Sequence, residues 1–186
     1  MGSVMTRGIL FQPDMVRQIR DKKKRQTRRI MKVQPPTSQH VLSLCVSSTA
    51  KDTEGKHRWI IPESQGTEFF TCPYSVGDTL IVREAWRTEK EYDPYKPRDL
   101  PGFHRTWFEA DGPAPPEFGR YRHARFMLLH SARLHLAVSA VRVERLQDIT
   151  EADAIEEGFA SRAAFLSRWD ELNGPGNPYV WVISWT

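Results

Sequence analysis

Near the middle of the chain, Gly77-Asp78 turns into Thr79-Leu80-Ile81-Val82-Arg83-Glu84-Ala85-Trp86, the cleanest strand pattern in the sequence. Successive side chains of a strand point to opposite faces, so Leu80, Val82, Glu84 and Trp86 share one of them. A chain with such a segment at its middle needs a sheet with one covered face, and a carboxylate has to be accommodated on that face. A register slip of one residue would instead put Glu84 in water. The pattern alone is compatible with both placements.

Other elements assemble around this strand. Gly8-Ile9-Leu10-Phe11 reads as a short strand stopped by Pro13, and Met15, Val16 and Ile19 then give one apolar face to a short helix. Pro35-Pro36 ends the segment that runs through Ile30 and Met31. Val41 to Val46 and His57 to Ile61 read as hairpin partners, with a further short strand ending at Phe69-Phe70. Residues 87–125 are rich in Pro, Gly, Arg and Tyr and read as a long loop insertion, with one strand at Thr106 to Ala110. In Arg133 to Leu146 the apolar phase changes near Ser139-Ala140, which predicts one long strand with a bulge. Thr150 and Asp153 mark the N-terminus of a helix over Gln147 to Gly158, with Ala154, Ile155 and Gly158 facing inward. A second helix runs from Ser161 to Leu172, and Tyr179 to Trp185 forms a last strand after a hard turn. This order predicts an α+β domain over residues 1–186 with enough strands to close a small mixed barrel.

Composition excludes more than it selects. A length of 186 residues suits one domain with its own core, and 11% aromatic content with six Trp argues against wholesale disorder. The net charge of +4 is too modest to identify a partner. Cys45 and Cys72 are far apart and lack metal-ligand spacing, so neither a disulfide framework nor a zinc site is expected, and a reducing cytoplasm is the expected location. No apolar run reaches the ~18 residues of a membrane span. Serine-hydrolase elbows, phosphate-binding glycine loops and paired-histidine metal motifs are absent from the sequence, so no cofactor and no metal are expected.

The run Lys22-Lys23-Lys24-Arg25-Gln26-Thr27-Arg28-Arg29 contains six of the 27 basic residues. It reads either as a solvated basic patch or as a site, with a lysine and a hydroxyl residue three positions apart at the end of a helix and arginines to hold a polar ligand.

Taken together, Ile9-Leu10-Phe11, Lys24 to Arg29, Gly77 to Trp86, Val141-Arg142-Val143-Glu144-Arg145-Leu146-Gln147-Asp148-Ile149 and the C-terminal stretch from Trp169 to Val182 resemble the ASCH domain family, in its larger phage and prophage form. The resemblance covers nearly the whole chain, least so residues 87–125. It implies a PUA-like fold, a small mixed β-barrel with flanking helices and a cleft for RNA or a nucleoside. The activity it implies is hydrolysis of the amide of N(4)-acetylcytidine or a similar N(4)-acylated cytidine or cytosine. The family's Lys-x-x-Thr pair matches Lys24 and Thr27, and Glu84 is the expected counterpart of its glutamate. The chain departs from the usual pattern in carrying Arg25 directly after Lys24. Chemically, a desolvated lysine serves as a base near neutral pH, the threonine or a water as nucleophile, and the glutamate as proton donor to the leaving amine. Arg28, Arg29 and Arg83 are candidates for holding the carbonyl oxygen, and Tyr74 and Trp86 for stacking on the base. Two other classes stay open on these residues: an RNA-binding module without chemistry, and a phage structural or host-interaction protein.

Overall fold

A computed structural model describes residues 5–36, 41–44, 56–60 and 70–186. The apolar N-terminal run forms β1 (Thr6–Leu10), and Pro13 opens α1 (Pro13–Arg20) at the position where its missing N–H costs nothing. Val16 and Ile19 are buried on the inner face of α1. The basic stretch does not extend this helix. Lys22 takes a left-handed turn conformation, and the chain enters β2 (Gln26–Ile30). The following strands are β3 (Val41–Leu44), β4 (His57–Ile60), β5 (Thr79–Arg83), β6 (Trp86–Thr88), β7 (Thr106–Phe108) and β8 (His135–Arg145). The chain closes with α2 (Glu151–Glu156), α3 (Arg162–Asn173) and β9 (Tyr179–Trp185).

The main sheet is mixed and five-stranded, in the order β1-β5-β8-β9-β2. β1 and β5 run parallel and every other neighbour is antiparallel. The register of β8 against β9 shifts between Val138 and Ala140, the bulge that the change of apolar phase predicts. β3 and β4 form a separate hairpin, and Phe70 bridges to His57 beside it. The expected pairings at Cys45, Val46, Ile61 and Phe69 lie outside the described residues.

The α+β class agrees with the element order, but the expected closed barrel needs correction. Among the described residues the main sheet ends on β1 and β2, with no ladder between them. Side chains span the gap instead. The Arg29 guanidinium donates to the Leu10 carbonyl at 2.8 Å, and the Phe11 ring meets Trp185 edge-on at 5.9 Å. A cleft lined by Leu10 at the end of β1 and by Thr27, Arg28, Arg29 and Ile30 of β2 lies at this edge.

One apolar cluster joins Ile9, Phe11, Val16, Leu80, Val82, Leu136, Trp181, Ile183 and Trp185 beneath the sheet. A second seats α2 and α3 on β9 through Leu146, Ile149, Ala154, Phe165, Trp169, Val180 and Val182. The strand expected over 79–86 breaks after Arg83, and Trp86 leaves to pair with Phe108 of β7. The insertion has little regular structure, as expected, yet it is tied down. Trp86 and Arg122 exchange backbone hydrogen bonds, Gly119 donates to Thr88, and Ala110, Phe118 and Ala124 are buried. No helix among the described residues is long and apolar enough to cross a membrane.

Candidate active site

Lys24 sits just before β2, and its backbone is fixed from two sides. Its N–H donates to the Gln18 carbonyl of α1, and the residue forms a bridge with Glu157, just past the end of α2. The neighbouring Arg25 N–H donates to Glu156. These contacts aim the Lys24 side chain inward, leaving it 2% exposed. Its Nζ donates to the Glu157 carbonyl at 2.8 Å and to Glu157 Oε2 at 2.6 Å.

Glu157 is equally buried, and its second oxygen, Oε1, accepts from Arg28 Nη1 at 3.0 Å. One carboxylate therefore joins a lysine and an arginine. The approach of α2 to this point depends on Gly158, whose φ of +87° is a left-handed value that ends the helix. A Cβ there would come within 1.9 Å of the Gln18 side-chain oxygen and 3.4 Å of the Lys24 Cβ.

Arg28 is held on its far side by acidic groups. Its Nε donates to Glu144 at 2.9 Å, its Nη2 makes a shorter contact with the same carboxylate, and Asp153 lies 3.4 Å away. Gln26 and Arg142 complete this lattice by binding Asp153 at 3.1 and 2.8 Å. Burial tends to raise the pKa of Asp153, but its bonds to Gln26, Arg142 and Thr150 prevail and hold it below the usual carboxylate range. With so many partners, Arg28 is a rigid support rather than a free anion receptor.

For Lys24, burial is the largest influence and lowers its pKa from the ordinary lysine value. Glu157 pulls the other way and does not fully compensate, while Arg29 and Arg28 push down. Burial also lowers Arg29, whose guanidinium lies 5.1 Å from the Phe11 ring centre.

Lys24, Thr27, Arg28, Arg29 and Glu157 all line one cleft of about 420 Å³. Its lining also includes Phe11, Phe159, Phe165 and Trp169, together with Ala85, Tyr121 and His123. This mixture of flat apolar surface and a few convergent polar groups is typical of small-molecule sites.

Four of the residues expected at the site are elsewhere. Glu84 is fully buried, as its face of the strand requires, but it does not line the cleft and is not the partner of Lys24. Arg133 grips it with two bonds of 2.9 Å and also binds Asp111, which in turn pairs with Arg20 of α1. The reason is the alternation of an extended chain. Ala85 faces the cleft, so the preceding Glu84 points away from it. Trp86 is completely buried, with the Arg122 guanidinium 5.5 Å from its ring centre, and has no face free for a base. Tyr74 lines a different depression, beside His57 and Cys72. Arg83 faces a third groove, where its Nη2 donates to the Arg125 carbonyl.

Glu157 was the residue sequence reasoning missed. Ile155, expected inward, is 58% exposed, and Glu157 takes the buried position three residues after Ala154. The available signal was that i, i+3 relation on a short helix ending at glycine. Among the described residues no cluster of His, Cys, Asp and Glu is arranged to hold a metal ion. Comparison with protein-family models, curated proteins and solved structures returns no match.

Proposed function

We propose that the chain is an amidohydrolase of the ASCH type with a PUA-like fold, cleaving the amide of N(4)-acylated cytidine or cytosine to the free base or nucleoside and a carboxylate. The observation that carries this reading is the buried Lys24–Glu157 pair opening into the same cleft as Thr27. Burial shifts the Lys24 pKa downward, the direction that a general base requires. In the first step, Lys24 Nζ takes the Thr27 hydroxyl proton as Oγ1 attacks the acyl carbon. The proton passes along the 2.6 Å contact to Glu157 and on to the departing cytosine amine. A bond forms between Thr27 and the acyl group as the C–N bond breaks. Water then attacks the threonine ester as Lys24 accepts its proton, the bond to Thr27 breaks, and Lys24 returns that proton to Thr27 Oγ1 as the carboxylate leaves. Arg29 is placed to stabilise the oxyanion, and Trp169 and Phe159 supply flat surface for the base.

Glu157 takes the role that the resemblance assigned to Glu84. The RNA-binding module without chemistry fits the cleft less well, because Arg28 is already neutralised by three carboxylates and the Lys24 amine is bonded to Glu157, so neither offers phosphates much. The test is incubation with a panel of N(4)-acylated cytosines and cytidines, following release of the free base or nucleoside. Turnover of at least one member, abolished in Lys24→Ala with the thermal melt retained, is expected. No turnover of any member, or undiminished turnover by Lys24→Ala, overturns the proposal.

A further inference from the structure

Beside the cleft lies a larger groove, of about 780 Å³, built by the insertion together with Arg83 and the segment Phe126 to Leu128. Arg83, Lys96, Arg98, Arg120, Arg122 and Arg125 line it, and no aspartate or glutamate does. This is the reverse of the cleft, where Arg28 alone meets three carboxylates. Arg122 is 4% exposed, and among the described residues its carboxylate neighbour Asp93 acts on it only beyond salt-bridge distance. Its guanidinium is held by the Tyr92 and Tyr95 carbonyls and the Thr88 hydroxyl, leaving Nε unpartnered. The Nε of Arg83 is likewise buried without a partner. A groove lined by six cations and no carboxylate keeps a standing attraction for an anion.

The groove and the cleft share a wall. Tyr121 and His123 line both, exposed on either side of Arg122, whose backbone is pinned to Trp86. Tyr121 at this rim is 52% exposed and Phe126 within the groove 55%. Exposed rings among spread cations suit a phosphodiester backbone with bases stacked along it. A single phosphate would engage one or two of these cations, whereas the six extend well beyond the rim. From this we infer that the groove binds the backbone of a single-stranded polynucleotide, and that the substrate is an acylated cytidine within such a strand, its base crossing the Tyr121–His123 rim into the cleft. The assignment of the substrate rests on the amidohydrolase reading, and the strand-binding groove does not.

The test uses the full chain and a charge-reversed variant, Lys96→Glu/Arg98→Glu/Arg125→Glu, all three residues being exposed. Fluorescence anisotropy measures binding of a short unacylated oligocytidylate, in RNA and DNA forms to distinguish the two sources of the same backbone. Wild type is expected to bind at least one form, with the variant weaker by ~10-fold or more and its log–log salt slope smaller by about 2, at ~0.7 per lost phosphate contact. If the triple variant melts early, Arg125→Glu alone is used, with a smaller loss in the same direction. Binding of neither strand, or binding indifferent to charge reversal, overturns the inference. In parallel, deacylation of an N(4)-acetylcytidine-bearing strand is expected to exceed that of the nucleoside and its 5′-monophosphate by ~10-fold or more in kcat/KM, and equal values overturn it. Charge-sensitive strand binding with no deacylation of any substrate rejects the amidohydrolase and retains the groove. Deacylation of the nucleoside without strand binding does the opposite.

Discussion

Glu84 and Glu157 are both buried glutamates gripped by arginines, yet they stand in different surroundings. Glu84 receives both of its bonds from Arg133, which also binds Asp111, so the carboxylate fastens the chain just after β5 to the segment that leads into β8. Neither Glu84 nor Arg133 lines the cleft, and the carboxylate's hydrogen-bonding capacity is used for structure. Glu157 divides its oxygens between Arg28 and Lys24, and that lysine lies in a cleft wall beside a threonine. A charge pair with all members locked stabilises a junction, whereas one with a member of shifted acidity facing a cavity can move a proton. Burial of a carboxylate does not separate the two cases. The identity of its partner and the presence of open space do.

The largest effect that sharpens this contrast is expected at Thr27. Thr27→Val keeps the shape and removes the hydroxyl, and turnover of an acylated cytidine should fall on the order of 10²–10⁴-fold. Mass spectrometry of wild-type protein rapidly quenched after mixing with the acylated cytidine should detect one acyl group on Thr27. Full activity in Thr27→Val would remove the threonine from the mechanism and leave Lys24 acting on water.

Glu84→Gln tests the other side. Loss of the charge beside Arg133 should lower stability by about 2–3 kcal/mol in urea unfolding, below the ~3–5 kcal/mol of a fully buried pair because Arg133 is partly exposed and keeps Asp111. Turnover per folded molecule should stay within about twofold of wild type, on the scale where 1.4 kcal/mol is tenfold. An unchanged melt would show that the Arg133 junction contributes little.

The pH dependence is the smallest of these effects. Lys24 has a folded pKa below its unfolded value because burial disfavours its charge. Between the two values the unfolded chain binds more protons, so this group's contribution makes stability rise with pH across that window and is lost as pH falls through it. Lys24→Met should flatten that part of the stability curve. The acid limb of the rate profile should lie below the ordinary lysine range and rise with pH, and a limb at the ordinary value would contradict a desolvated lysine.

The sequence made parts of this legible because they depend on local rules. Pro13 opens α1, Thr150 caps α2 by accepting from the Asp153 N–H, and the phase change at Ser139 produces the β8 bulge. Period 2 also grouped Glu84 with Leu80 and Val82, a face that the structure buries. It could not supply Arg133, a partner 49 residues away, nor reveal that the chain leaves the strand after Arg83. Lys24 and Thr27 were visible as a spaced pair, though on the approach to a strand rather than at a helix end. Glu157 was hidden because two apolar residues cannot set the phase of a six-residue helix, and Ile155 turned outward. Barrel closure depends on whether two distant edges meet, which no local pattern encodes.

The most direct measurement compares Glu157→Gln with Glu84→Gln in one deacylation assay, with each variant's folded fraction fixed by its melt. The account predicts that Glu157→Gln loses on the order of 10²-fold or more in kcat while Glu84→Gln remains near wild type. The reverse order, with Glu84→Gln inactive and Glu157→Gln active, would contradict it.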